Sequence, residues 1–218
     1  MNCEHRDHAY SQTDIDTVYR VIAERRDMRH FCGGEVPYET LMKLLGAAHR
    51  APSVGLMQPW RFIRIQDSAL RKTIYNKVQE ERIKTARALN EREDEFMRLK
   101  VEGVKDCAEL IVVALMDQRE KHIFGRRTLP QMDLASASCA IQNLWLAARA
   151  EGLGMGWVSL FDPEHLISIL NMPSGSLPIA ILCLGPVEEF YPRPMLETER
   201  WAQRQDLEQL IMQDGWQD

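Results

Sequence analysis

Long hydrophobic runs are missing from this chain: no stretch approaches the ~20 consecutive apolar residues that cross a bilayer. The opening MNCEHRDHAYSQTD carries charges and no apolar core, so neither a secretory leader nor a membrane anchor is expected there. Positive charge is also in short supply. With 27 Lys and Arg against 32 Asp and Glu, the net charge of -5 argues against a general nucleic-acid or anionic-membrane surface, which would demand a basic face. Any anion site must therefore be local. The five cysteines, Cys3, Cys32, Cys107, Cys139 and Cys183, are odd in number and scattered, the pattern of reduced thiols in a cytoplasm rather than of a disulfide framework. His30, His49, His122 and His165 lack zinc-type spacing to cysteine or carboxylate, so no metal is expected. GxxxxGK[ST] is absent, and GLGMG at 152–156 leaves a helix and enters a strand, the reverse of the dinucleotide fingerprint.

What is present reads as one globular domain over residues 1–218, since 45% hydrophobic residues in a chain of this length can bury a sizeable core. TDIDTVYRVIAERR repeats Ile15, Val18, Tyr19 and Ile22 at helical spacing and predicts a helix ending near Asp27. A second helix starts on Pro37 and buries Leu41, Leu44, Leu45 and Ala48, and APSVGLMQPW is then a loop. RFIRI predicts a strand. Ser68 is the expected cap of a long charged helical stretch running to about Lys105, polar nearly all round and thus exposed or partner-facing. LIVVALM is a buried strand, and MDLASASCAIQNLWLAARAEG a strong helix closed by Gly152. Strand MGWVSLF, a helix capped by Asp162 and Pro163, and strand PIAILCLG follow. The remainder, about 187–218, has aromatics but no core of its own, which predicts a tail that wraps a neighbouring subunit.

One short segment gathers charge. In RRDMRHF, residues 25–31, an extended backbone would place Arg25, Asp27 and Arg29 on one side and Arg26 and Met28 on the other. Two guanidiniums so placed offer forked donors to a phosphate or another delocalised anion. The alternative is a surface cluster in which the aspartate only neutralises its neighbours.

RRDMR, AAHRAPSVGLMQPW, PQMDL and CAIQNLWLAARAEGLGMGWVSLF together resemble the flavin-dependent nitroreductase superfamily, and within it the BluB-like branch, from Val18 to Trp216. The resemblance implies an α+β nitroreductase-like fold: a central, mostly antiparallel sheet flanked by helices. It also implies a helical lid insertion at about 68–106 and a C-terminal tail exchanged in a homodimer, with FMN at the interface. Arg25 then matches the residue that meets the FMN phosphate, and Arg29 the cation beside N1 and the C2 carbonyl. Asp27 stands where ordinary nitroreductases have serine and is catalytic in the BluB-like pattern, as is Ser159, beside flavin N5. Arg26, Met28, Ser53, Gly55, Gln58, Leu99 and Val101 complete the implied FMN contacts. Ala135 departs from the pattern, which has tyrosine.

The activity implied is oxygen-dependent fragmentation of reduced FMN to 5,6-dimethylbenzimidazole, the lower ligand of vitamin B12, with release of erythrose 4-phosphate. Reduced FMN and O2 would be the substrates, and a separate flavin reductase a partner. Two rivals stay open: a conventional NAD(P)H-dependent nitroreductase, and a non-catalytic flavin-binding protein. For the charged stretch, a solvated helix without a lid role is the rival.

Overall fold

A computed structural model describes residues 8–216; Cys3, most of the charged opening and Gln217 lie outside them. Four strands form one sheet: β1 (Trp60–Ile65), β2 (Glu109–Leu115), β3 (Gly154–Val158) and β4 (Leu177–Gly185), in the order β1-β2-β4-β3 with every neighbour antiparallel. All seven residues of β2 are buried, as a central strand covered on both faces requires. On one face α2 (Tyr38–His49) and α5 (Met132–Ala150) bury Leu41, Leu44, Ile141 and Leu144 against Ile111, Val113 and Leu182. On the other, α3 (Ser68–Ala88) and α6 (Pro163–Ile169) bring Ile74, Val78 and Leu166 onto Val112 and Ile181. The expected strands and helices are thus present, and the α+β architecture with an antiparallel sheet holds.

Several boundaries differ. α1 (Gln12–Glu24) ends three residues before Asp27, where the chain turns extended at Arg25. The expected burial of its apolar side does not occur: no residue of α1 is buried, and Val18, Tyr19 and Ile22 stay exposed. The cap of α3 is Asp67, whose carboxylate accepts the Leu70 N–H at 2.6 Å, rather than Ser68. The charged helix is also not continuous. It breaks in a 3-10 turn at Asn90–Arg92, where Asn90 takes a positive φ, resumes as α4 (Glu93–Arg98) and then runs extended. Polar as it looks, α3 keeps a narrow buried stripe of Ile74, Val78 and Ala86.

The tail has two parts. Its first part folds back on its own chain: Val187 packs over Gly154, Phe190 lies under the Arg149 guanidinium at 4.2 Å, and α7 (Met195–Thr198) leads to Trp201, which joins Phe96, Leu99 and Ala86 in a third apolar cluster. Residues 205–216, including Leu207, Leu210 and Trp216, are exposed.

β3 is an edge strand, and its open side is covered by residues 27–29. Gly156 permits that approach, because a Cβ there would run into the Met28 carbonyl and sit 3.4 Å from an Asp27 carboxylate oxygen. Gly156→Ala should therefore destabilise the fold by about 1–3 kcal/mol, as overpacking against backbone does. Gly46→Ala, on α2 with nothing within 4 Å of the new methyl, should stabilise by up to ~1 kcal/mol. Urea unfolding of the two variants beside the parent measures both.

Candidate active site

α1 delivers the chain to β3, and the segment that follows is fixed by backbone bonds. The Met28 N–H donates to the Met155 carbonyl at 2.9 Å, and the Cys32 N–H to the Pro186 carbonyl at 3.0 Å. Trp145 on α5 donates its indole N–H to the Arg26 carbonyl at 3.1 Å. The Arg26 guanidinium closes the end of α1 through the Ala23 carbonyl at 2.7 Å and reaches the Pro192 carbonyl at 3.0 Å. These contacts leave Arg25, Asp27 and Arg29 aimed at a cavity of about 610 Å³, a size that suits a small-molecule ligand.

Asp27 and Arg29 complete the open edge of β3. One Asp27 carboxylate oxygen accepts the Trp157 N–H at 3.0 Å. The other is ion-paired with Arg29 Nη2, which also donates to the Trp157 carbonyl at 2.9 Å. Both backbone polar groups of one edge residue, Trp157, are thus satisfied by side chains. Burial raises the Asp27 pKa above its usual value, against the opposing pull of Arg29, the Trp157 N–H and Arg25. The arginines alone would hold the carboxylate ionised at lower pH; desolvation outweighs them. The side chain nevertheless keeps 41% of its surface accessible, because it forms part of the cavity wall.

Two cations remain uncommitted. Arg29 Nη1 is buried without a hydrogen-bond partner, a costly arrangement unless a ligand supplies an acceptor. Arg25 lies 4.5 Å over the Trp145 ring and makes no ion pair within 4.0 Å among the described residues. Burial lowers its pKa, with nearby Asp27 acting in the opposite direction. The other walls are apolar: Phe96, Leu99, Val101, Leu160 and Met195. Apolar walls with cations at the rim fit a flat apolar ring system that carries an anionic group.

Of the residues singled out in the sequence, Arg25, Arg26, Asp27, Arg29, Leu99, Val101 and Ser159 line this cavity. Met28 does not: its side chain is fully buried, against Gly154. Arg26, expected to face away, does line it. Ser53, Gly55 and Gln58 lie elsewhere, on a loop where Ser53 Oγ accepts the Gln58 N–H at 3.1 Å, the Val54 N–H donates to Ser136 Oγ at 3.0 Å, and Gly55 packs on Phe124. Ala135 is exposed and also off the cavity. Trp157, Met195, Trp201 and Arg204 line it and were not anticipated. The only hint in the sequence was a tryptophan and an arginine in a tail with no core of its own. Among the described residues, no group of three or more His, Cys, Asp or Glu could hold a metal, and no helix is long and apolar enough to cross a membrane.

Comparison with known proteins agrees with this geometry. The nitroreductase family model matches residues 22–186. A 5,6-dimethylbenzimidazole synthase of Rhodospirillum rubrum is 42% identical over 83% of this chain and 86% of its own length. Among solved structures, a BluB-like flavoprotein from Clostridium difficile superposes with a TM-score of 0.69 at 18% identity, covering 91% of this chain and 99% of that one. An iodotyrosine deiodinase bound to FMN and 3-iodo-L-tyrosine gives 0.69 at 23%, with the same coverage. The fold, the cavity built on the edge of β3 and these matches together place the chain in the nitroreductase family.

Proposed function

We propose that the protein is a 5,6-dimethylbenzimidazole synthase, which binds reduced FMN and, with O2, fragments it to the benzimidazole and erythrose 4-phosphate. The observation that carries this reading is a carboxylate, Asp27, set into the wall of a cavity that also presents the unpartnered Nη1 of Arg29 and an Arg25 without an ion pair among the described residues. The Rhodospirillum rubrum relative, named for this activity, supports it. Reduced FMN supplies the electrons for O2 and the carbon skeleton of the product. Arg25 anchors the phosphate, with Arg204 of the tail beside it as a second cation. Arg29 Nη1 faces the negative charge of the reduced ring, an electrostatic service that needs no reorganisation because the guanidinium is already fixed by Asp27 and Trp157. Ser159 positions the ring from the far end of β3. Asp27 moves the proton on the ribityl side, acting in its ionised form as a base.

A conventional nitroreductase keeps its flavin open to a second substrate. Here the α3–α4 insertion and α7 close over the cavity from two sides, through Phe96, Leu99, Met195 and Trp201, which favours exclusion of water and of outside reductants. We read that insertion as a lid. We also place the site at the interface of a homodimer. The uncovered apolar side of α1 supports this, and so does the position of Ser53, Gly55 and Gln58, which cannot serve the cavity of their own chain but could serve a partner's.

Reducing the FMN-loaded protein, admitting air and following the flavin separates the readings. Loss of the flavin chromophore with a new benzimidazole is expected; clean reoxidation would favour a nitroreductase or a flavin carrier. Arg25→Ala should weaken FMN binding about ten- to a hundredfold, the worth of a charge-assisted contact, yet leave riboflavin, which has no phosphate, nearly unaffected in a calorimetric titration. Asp27→Asn and Asp27→Ser should still bind FMN while product formation falls about 10²–10⁴-fold; an unchanged rate would refute the catalytic role. Because the folded carboxyl is raised, the acid limb of the wild-type pH–rate profile should lie above the ordinary carboxylate value of about 3.9. The same shift sets its linkage to folding. The Asp27 contribution is fully present below the unfolded pKa and is lost as pH rises through the folded one, so the stability difference between wild type and Asp27→Asn should shrink over that window.

A further inference from the structure

We infer that Tyr191 is a positioning residue for Arg29 and Asp27, acting through one hydroxyl between the ligand-facing segment and the tail; the inference rests on the synthase reading only for its effect on turnover. The Met28 N–H is bonded to β3 through the Met155 carbonyl, and the Cys32 N–H to the Pro186 carbonyl just beyond β4; neither backbone bond involves Arg29. Arg29, a residue only 9% exposed, has its backbone N–H satisfied by the Tyr191 hydroxyl at 3.2 Å instead. The phenol thus satisfies a backbone N–H that the extended segment turns away from β3, at the residue whose guanidinium orients Asp27 and faces the ligand.

The hydroxyl has a second neighbour. His30 Nδ1 lies 2.6 Å away, with the two rings edge-on at 81°. The phenol oxygen thus accepts from the Arg29 N–H and is hydrogen-bonded to His30 Nδ1. The two contacts, Arg29 N–H and His30 Nδ1 on one phenol oxygen, together fix the phenol's position. Tyr191 also begins the segment that carries Pro194, Met195 and Leu196 into the cavity wall, and the Arg26 bond to Pro192 ties the same segment one residue later. One hydroxyl therefore sets both the register of the ligand-facing strand and the approach of the opposite wall.

The test uses the FMN-loaded full chain and Tyr191→Phe, which keeps the ring and removes only the hydroxyl. Thermal unfolding and affinity for oxidised FMN should stay near wild type, the latter within about twofold. The Arg29 amide should exchange with solvent at least about tenfold faster. The preference for reduced over oxidised FMN, read from the bound-flavin midpoint potential without oxygen, should fall about five- to tenfold, and the single-turnover rate of flavin loss about tenfold. Wild-type amide protection, or an unchanged reduced-to-oxidised preference, overturns the inference. So does a loss of oxidised-FMN affinity that only tracks a fall in thermal stability, the mark of a merely structural residue. If wild type reoxidises FMN without fragmenting it, the synthase reading fails, while amide exchange and midpoint potential still decide the role of Tyr191.

Discussion

Everything in the site depends on how the open edge of β3 is closed. An edge strand presents unpaired N–H and C=O groups, and proteins must cover or pair them. Here the Met155 carbonyl takes a backbone N–H from Met28, but Trp157 is served by side chains: Asp27 accepts from its N–H, and Arg29 donates to its carbonyl. Asp27 and Arg29 then pair with each other. The same three groups that seal the sheet therefore point an anion–cation pair into a cavity, so the positions of the chemical groups are as rigid as the sheet itself.

That closure has an electrostatic consequence. A carboxylate fixed on a sheet edge and covered by protein loses hydration faster than two arginines can replace it, and its pKa rises although Arg29 touches it. Arg29 is tied at Nη2 and left with Nη1 unpartnered and buried. A ligand bringing negative charge to that atom would satisfy it without moving anything. Pre-organisation of this kind places the desolvation cost in folding rather than in binding or turnover.

The remaining walls come from segments far apart in the chain. Phe96, Leu99 and Val101 follow the broken helix after α3, and Met195 and Trp201 come from the tail nearly a hundred residues later. Trp201 joins the two, lying 6.0 Å from the Phe96 ring with the Arg92 guanidinium 3.5 Å above it. The aromatic contact couples the α3–α4 segment to the tail, so that these two walls of the cavity pack as one unit.

The sequence by itself determined the main elements and marked the charged groups of the candidate site. Apolar periodicity marked α2 and α5, the unbroken apolar run marked β2, and RRDMRHF with its single acid marked Arg25, Asp27 and Arg29, because residue type and local spacing are properties of the chain alone. It did not determine which way Arg26 and Met28 would turn, since simple alternation fails where the segment leaves an ideal strand to meet β3 through Gly156. Nor could it show that Ser53, Gly55 and Gln58 fall off the cavity while Trp201 and Arg204 reach it. Only tertiary structure decided those points, and the sign of the Asp27 shift with them. Contacts between distant segments and the loss of water around a charge arise from packing in space, and no local pattern of residues encodes them.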